Sequence, residues 1–363
     1  MNLHQKNHHL GFTYTVLLLS VFAWAQIDGN SVSEIDSIPQ VNVLKNEFIF
    51  SEAPFLQCHA STIVALDNGE FMVSWFGGTH ERHEDVSIYE SHTVLGNWST
   101  PKKIADGIVN DSVRYPSWNP VLFQNKKGTL FLFYKIGPSP STWWGLYKTS
   151  SDNGISWSSE KKLPDGILGP IKNKPVQLES GRVLSPSSIE TQNGDIWKAH
   201  IEISDDGGYS WKRSNIPADS SIKIIQPTLI QLPDSTLKAL LRSDQNVLME
   251  SSSIDNGITW SKAIPSTVKN PNSGVDALTV TNGSHLLVYN PTHSGKDWSD
   301  GRQKLNLAYS YDGINWEDIL KLEDEKDGEF SYPAIIQDNS GKIHITYTYN
   351  REKIKHVLLT LND

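Results

Sequence analysis

The stretch SSDNGISW (150–157) returns along the chain as SDDGGYSW (204–211) and SIDNGITW (253–260). A shortened copy, SYDGINW, covers 310–316, and an eroded one, SHTVLGNW, covers 91–98. The closing tryptophans Trp98, Trp157, Trp211, Trp260 and Trp316 stand roughly 50–60 residues apart, the mark of a chain built from one repeated unit. Each phrase has the chemistry of a turn. Its aspartate accepts hydrogen bonds from turn amides, its glycine permits backbone conformations that other residues avoid, and its tryptophan is large enough to pack between neighbouring units. The phrase therefore reads as structural, with the chemistry elsewhere.

Working outward, each tryptophan is preceded by apolar runs broken by Asn-Gly, Ser-Gly or Lys-Gly signals, the pattern of antiparallel hairpins. The first unit reads CHASTIVAL, DNGEFMVSWF, DVSIYESH; the second WNPVLFQ, KKGTLFLFYK, WGLYKTS; the last YPAIIQ, SGKIHITYTY, IKHVLLTL. Six such units predict an all-β protein, a six-bladed β-propeller with the repeated phrase between third and fourth strands. The final unit lacks a fourth strand of its own. The segment VNVLKNEFIF (41–50) is predicted to supply it and close the ring, making 41–363 a single domain.

Residues 1–25 carry Lys6, an apolar run and Ala23-Trp24-Ala25, the pattern of a secretory signal with a small-residue cleavage site. Residues 26–40 read as a polar leader. The chain is thus expected to be exported, periplasmic or secreted, and to act as a monomer. No other segment approaches the ~20 apolar residues of a membrane span, so no membrane insertion is expected. Cys58 is the only cysteine of 363 residues, which excludes an intrachain disulfide. The net charge of −9 argues against a nucleic-acid partner. Twelve tryptophans and twelve tyrosines fit either sugar-stacking platforms or a large core.

In a propeller the innermost strands converge on the axis and their ends line one shared pocket. Polar residues interrupt these otherwise apolar strands in every unit: His59; Trp118 with Asn119; Lys172 with Asn173 and Lys174; Gln226; Asn272 with Asp276; and Tyr332. Two readings stand. Either the set lines a binding pocket, or its members hydrogen-bond within the channel and hold the blades together.

The segments HASTI (59–63), WNPVLF (118–123), GPIKNKP (169–175), NPNSGVDA (270–277) and FSYPA (330–334), with the Asp-box phrases, resemble the sialidase (neuraminidase) superfamily, in particular its sialidase-like bacterial branch. The resemblance spans roughly 50–360. It implies the propeller fold, three arginines holding a substrate carboxylate, a tyrosine nucleophile paired with a glutamate, and an aspartic acid as acid/base. Tyr332 looks like the tyrosine, Arg242 in ALLRSD like one arginine, and Asp85 in ERHEDVS lies where the acid/base loop falls. Arg351 is a further candidate arginine. The first arginine of the sialidase pattern is missing, and His59 stands in its place.

Histidine is the side chain best matched to proton transfer near neutral pH. With Lys172, Lys174 and Arg242 to neutralise a carboxylate, His59 and Tyr332 are the parts for β-elimination from a uronic acid, and an acidic oligosaccharide is the expected partner. Propeller enzymes that degrade algal and plant acidic polysaccharides such as ulvan use His/Tyr chemistry of this kind. Elimination from a uronate oligosaccharide is therefore the first expectation. The alternatives are an exo-sialidase with Tyr332 as nucleophile and a non-catalytic glycan-binding propeller. The loop THERHED (79–85) is read as a solvated rim of the pocket rather than a metal site. STWWGLY (141–147) offers Trp143 and Trp144 either as a sugar platform or as a blade-edge contact, and His356 on an apolar strand reads as a core histidine. No Gly-rich phosphate loop, Ser/His/Asp ordering or cysteine cluster is visible, and no cofactor or metal is expected.

Overall fold

The computed structural model describes residues 38–362. The export signal read over 1–25, and the polar leader apart from its last residues, lie outside them. Six antiparallel units follow one another around a ring, five of them four-stranded and the first five-stranded. Their inner strands are Gln57–Ala65, Ser117–Gln124, Val176–Gln177, Ile224–Gln231, Asp276–Thr279 and Phe330–Gln337, defining blades 1 to 6. The outermost strand of blade 6 is Gln40–Phe48, which pairs antiparallel with Lys353–Asn362 from Gln40↔Asn362 to Phe48↔Lys355. The predicted closure is present and starts one residue earlier than read. Among the described residues no helix is long and apolar enough to cross a membrane.

The repeated phrase sits between third and fourth strands, and its chemistry recurs copy by copy. In blade 2 the Ser150 hydroxyl donates to Asp152 Oδ1 at 2.7 Å and accepts from the Gly154 amide at 2.8 Å. Asp152 also accepts from the Ser156 amide and hydroxyl. The same bonds join Ser204, Asp206, Gly208 and Ser210 in blade 3, and Ser253, Asp255, Gly257 and Thr259 in blade 4. Blade 5 repeats them with Ser310, Asp312, Gly313 and Asn315. Gly154 sits at φ +87°, a conformation that calls for glycine, with the Met72 methyl of blade 1 close by. Each tryptophan then packs on the preceding blade. Trp211 meets Phe133 edge-on at 6.0 Å, and Trp260 joins the apolar cluster between blades 3 and 4. The eroded copy in blade 1 has no aspartate and closes as a tight hairpin, Thr93↔Trp98, around Leu95 and Gly96.

One backbone feature prepares the site. Each blade carries a non-glycine residue at positive φ in or just before its inner strand: Ala60, Asn119, Lys172, Gln226, Asn272 and Tyr332. In blades 1, 2, 4 and 6 the ladder slips at this point, as a β-bulge does. Such residues are costly in bulk and persist where the surroundings over-determine them, typically at functional sites. Five of these six are the polar interruptions picked out in the sequence.

Candidate active site

A cavity of about 960 Å³ opens at the starting ends of the inner strands. Arg242, Arg302, Arg351, Tyr332 and Glu329 share its wall with Trp298 and the His80–Arg82 segment of the blade 1 loop. Arg242 projects from the second strand of blade 4, Leu237–Ser243. Its Nη1 donates to Tyr332 Oη at 2.8 Å and to Gln226 Oε1 at 3.2 Å, and its Nε to Asn272 Oδ1 at 2.7 Å. Gln226 Nε2 donates to the same Tyr332 oxygen at 3.4 Å, so two donors converge on it. The orientation of the Gln226 amide follows from its neighbours, since a guanidinium can only donate.

Arg302 and Arg351 form the second half of the wall. Glu329, buried just ahead of the blade 6 inner strand, accepts from Arg302 Nη1 at 3.0 Å, Arg351 Nε at 2.8 Å and the Ser331 hydroxyl at 2.9 Å. Burial pushes this carboxyl up, but Arg351 and then Arg302 overcome it and hold the group below its ordinary range. Arg351 also pairs with Glu81. Trp298, 64% exposed, lies over both guanidiniums at 4.7 Å (Arg351) and 5.2 Å (Arg302).

The sequence-predicted residues divide into three groups. Tyr332 and Arg242 line the cavity, and Gln226 and Asn272 stand behind them, bonded to Arg242. His59 sits directly behind: its ring centroid is 4.1 Å from that of Tyr332, its Nδ1 shares a 2.9 Å bond with Thr348 Oγ1, and only 2% of it is exposed. Burial, and then Arg351, Arg302, Arg242 and Lys172, push its imidazole well below the ordinary range, so it is neutral. It supports Tyr332 rather than lining the cavity.

The remainder hold blades together. Lys172 Nζ donates to Asn173 Oδ1, to the Val275 carbonyl and to the Pro333 carbonyl, while Asn173 Nδ2 donates to the carbonyls of Gln226 and Pro227. These two buried side chains tie blade 3 to blades 4, 5 and 6. Lys174 pairs with Asp276 at 2.8 Å and opens on a different hollow, with Gln231 and Thr279 from the far ends of the inner strands. Asp276 further accepts from Thr228 Oγ1 and the Ile335 amide. Trp118 is buried, donates to the Gly137 carbonyl and packs on Trp143, and Asn119 is buried beside it. Lys172, Asn173, Lys174 and Asp276 are thus engaged in inter-blade bonds, and Trp118 and Asn119 are buried away from the cavity lining. Trp144 packs edge-on against Tyr115, as Trp143 does on Trp118.

Asp85 lies outside the cavity as well. It accepts from the Thr79 amide and hydroxyl, pairs with His83 at 2.8 Å and borders a separate hollow with Tyr89 and Arg114. Asp85 thus faces this hollow and its own loop rather than the arginine-walled cavity. Among the described residues no group of three or more metal-ligating side chains occurs. His356 is a bonded core histidine, between Glu47 at 3.0 Å and His344 at 3.1 Å.

Sequence inspection missed Arg302, Glu329 and Trp298. All three lie on connections rather than on the repeated inner strands. The one available signal was an arginine and a tryptophan close together in KDWSDGRQK, a polar stretch ahead of an apolar strand.

Three arginines around a tyrosine on a six-bladed ring can be set against known proteins. The pattern of the BNR repeat-like domain matches residues 69–345. The chain belongs to that family. Within the sialidase-like superfamily, this BNR repeat-like protein is 29% identical over 223 residues to the anhydrosialidase of Macrobdella decora, covering 54% of this chain and 28% of that protein. It is 28% identical over 177 residues to the sialidase of Vibrio cholerae serotype O1, covering 40% of this chain and 22% of that protein. The matched stretch therefore spans less than a third of either relative. Among solved structures, a protein of unknown function from Dyadobacter fermentans superposes with a TM-score of 0.72 at 17% identity, covering 90% of this chain and 100% of that one. The NanB sialidase of Streptococcus pneumoniae gives 0.70 at 15% identity, covering 87% and 71%. These two likenesses establish the fold. One departure from the sialidase pattern is plain beside Tyr332: its oxygen accepts from the amide of Gln226, where that pattern pairs its tyrosine with a glutamate.

Proposed function

We propose that this BNR repeat-like protein is an exported enzyme that binds a carboxylate-bearing sugar at Arg242, Arg302 and Arg351 and acts on it through Tyr332. On a uronic-acid oligosaccharide the reaction is β-elimination to a 4,5-unsaturated uronate. The observation that carries the reading is the 2.8 Å bond from Arg242 Nη1 to Tyr332 Oη within the arginine-walled cavity. A carboxylate held by that arginine brings its own neighbouring carbon to the tyrosine oxygen.

In a uronate this carbon, C5, bears the proton that the carboxylate makes acidic. Cations on the carboxylate stabilise the enolate-like intermediate as charge flows into it. The Tyr332 oxygen acts as the base and takes the C5 proton; the C–H electron pair becomes the C4=C5 double bond; the C4–O bond breaks and the departing oxygen takes a proton. Two donors on the Tyr332 oxygen suit negative charge at that atom. If the departing oxygen carries a sugar the step is a lyase cleavage, and if it is a free hydroxyl it is a dehydration.

The second reading, sialidase-type hydrolysis, is favoured by the number of arginines, which Arg351 brings to three. In sialic acid the carbon next to the carboxylate is the anomeric one, so the same oxygen would attack it instead of removing a proton. Gln226, which takes up no proton, and Asp85, outside the cavity, weigh against it. The deciding experiment incubates the protein with uronic-acid oligosaccharides and with sialyl-oligosaccharides. Growth of the ultraviolet band of an unsaturated uronate is the expected result. Release of free sialic acid without that band would replace elimination by hydrolysis, and binding of either sugar without turnover would leave a glycan-binding propeller.

A further inference from the structure

Either reaction needs an acid for the departing oxygen, and the carboxylates described so far are committed. Glu329 holds two arginines, Glu81 holds Arg351, and Asp85 is folded into its own loop. Asp327 lines the cavity mouth but is exposed to water. Glu190 stands beside the cavity-lining residues rather than among them, and it is neither tied to an arginine nor fully exposed.

Glu190 lies at the end of the blade 3 strand Val183–Thr191, directly opposite Trp197 on the strand Ile196–Ser204. Opposed residues of an antiparallel pair project from the same face. That face looks at blade 4, because the Trp197 ring lies 5.5 Å from the Arg242 guanidinium and 5.7 Å from Lys223 Nζ. The half-buried Glu190 carboxyl makes no hydrogen bond or ion pair among the described residues. The charges that act on it are those of Arg242, from blade 4, and of Arg82 and Glu81, from the blade 1 loop, all three of them cavity-lining residues.

We propose that Glu190 is the general acid of this site, donating its proton to the oxygen that leaves the sugar. The assignment rests on the enzymatic reading above, and it applies to elimination and to hydrolysis alike, since both expel an oxygen. The proton passes from the Glu190 carboxyl to the leaving oxygen as the C–O bond breaks, and solvent restores it. Burial, opposed by Arg242 and Arg82, pushes the carboxyl above its ordinary range, so the proton is retained to higher pH than on an exposed glutamate.

The test compares Glu190→Gln with the wild type on two substrates that share the acidic sugar. In one the departing group is a sugar alkoxide, and in the other a nitrophenolate, which needs no proton to leave. The uronate pair is used if the wild type eliminates, and the sialoside pair if it hydrolyses. E190Q is expected to lose ~10²–10⁴-fold in kcat on the alkoxide substrate and only a few-fold on the nitrophenolate. The basic limb of its pH–rate profile should also disappear. Equal losses on both substrates, or no loss on either, would overturn the assignment to Glu190 while leaving the enzymatic reading intact. Asp327→Asn showing the leaving-group dependence instead would move the acid to the mouth. Absence of wild-type turnover on both pairs would overturn the enzymatic reading and the acid with it.

Discussion

Arg242 is bonded to Tyr332 at 2.8 Å through the same Nη1 that reaches Gln226, and among the described residues it has no carboxylate partner. Arg302 and Arg351 are different: Glu329 neutralises part of their charge. An incoming carboxylate therefore finds its least compensated cation next to the tyrosine oxygen. Arg242→Ala should lower kcat/KM on an acidic sugar ~10–100-fold, the size of a lost hydrogen bond to a charged group. On the methyl ester of the same sugar the loss should be much smaller, and equal losses on acid and ester would remove carboxylate recognition from Arg242.

Tyr332→Phe keeps the ring against His59 and removes only the oxygen. Turnover should fall ~10²–10⁴-fold while the substrate still binds, as isothermal titration would show. Retained turnover would exclude this oxygen from both chemistries. A trapped glycosyl adduct on wild-type Tyr332 with a fluorinated sialic-acid probe would decide for hydrolysis.

Glu329→Gln leaves two guanidiniums crowded without their shared counter-charge. Breaking a buried pair of this kind costs about 3–5 kcal/mol, which a urea titration resolves as a lower midpoint at unchanged slope. An unchanged midpoint would mean that the two cations need no anchor. If the folded variant also binds acidic sugars poorly, Glu329 positions the arginines as well as stabilising them.

The turn tryptophans carry the packing between blades. Trp260→Ala, at a 7% exposed position in the cluster joining blades 3 and 4, should lower stability by about 3–5 kcal/mol and leave kcat of the folded fraction unchanged. Lost turnover at normal stability would place chemistry on the repeated phrase after all.

The Asp-box aspartates set an acid limit. The Ser156 hydroxyl and then its amide hold Asp152 down to about 2, and Thr259 does the same for Asp255. A carboxyl lowered in the folded state stabilises above its unfolded value of ~3.9, and that stabilisation is lost as pH falls through about 2. Thermal midpoints should accordingly decline between about pH 4 and pH 2, and less so in Asp152→Asn. A flat profile across that window would deny these turns a linked contribution.

The ring was legible because its grammar repeats: serine, aspartate, glycine and a hydroxyl residue recur at fixed offsets, and each offset is a hydrogen bond. Half of the site was legible for a related reason. Asn119, Lys172, Gln226, Asn272 and Tyr332 stand out as polar residues in apolar strands, and each occupies the left-handed position of its blade. The sequence could not say which of these look into the cavity and which look across the axis, since Lys172 and Tyr332 share a backbone conformation but end in different surroundings. Glu329 and Glu190 were invisible, and Arg302 nearly so, because neighbours on other strands and loops, such as Arg351 for Glu329, give them their roles.

The pairing of Gln40 with Asn362 makes the two ends of the folded chain neighbours. During synthesis the polypeptide is an open arc whose first strand waits for its last. The final contacts to form span nearly the whole chain and carry the greatest loop-closure cost. Until then blade 6 presents an unpaired edge, the state most exposed to proteases and to pairing with another copy. Completion of the arc and protection of that edge are one event.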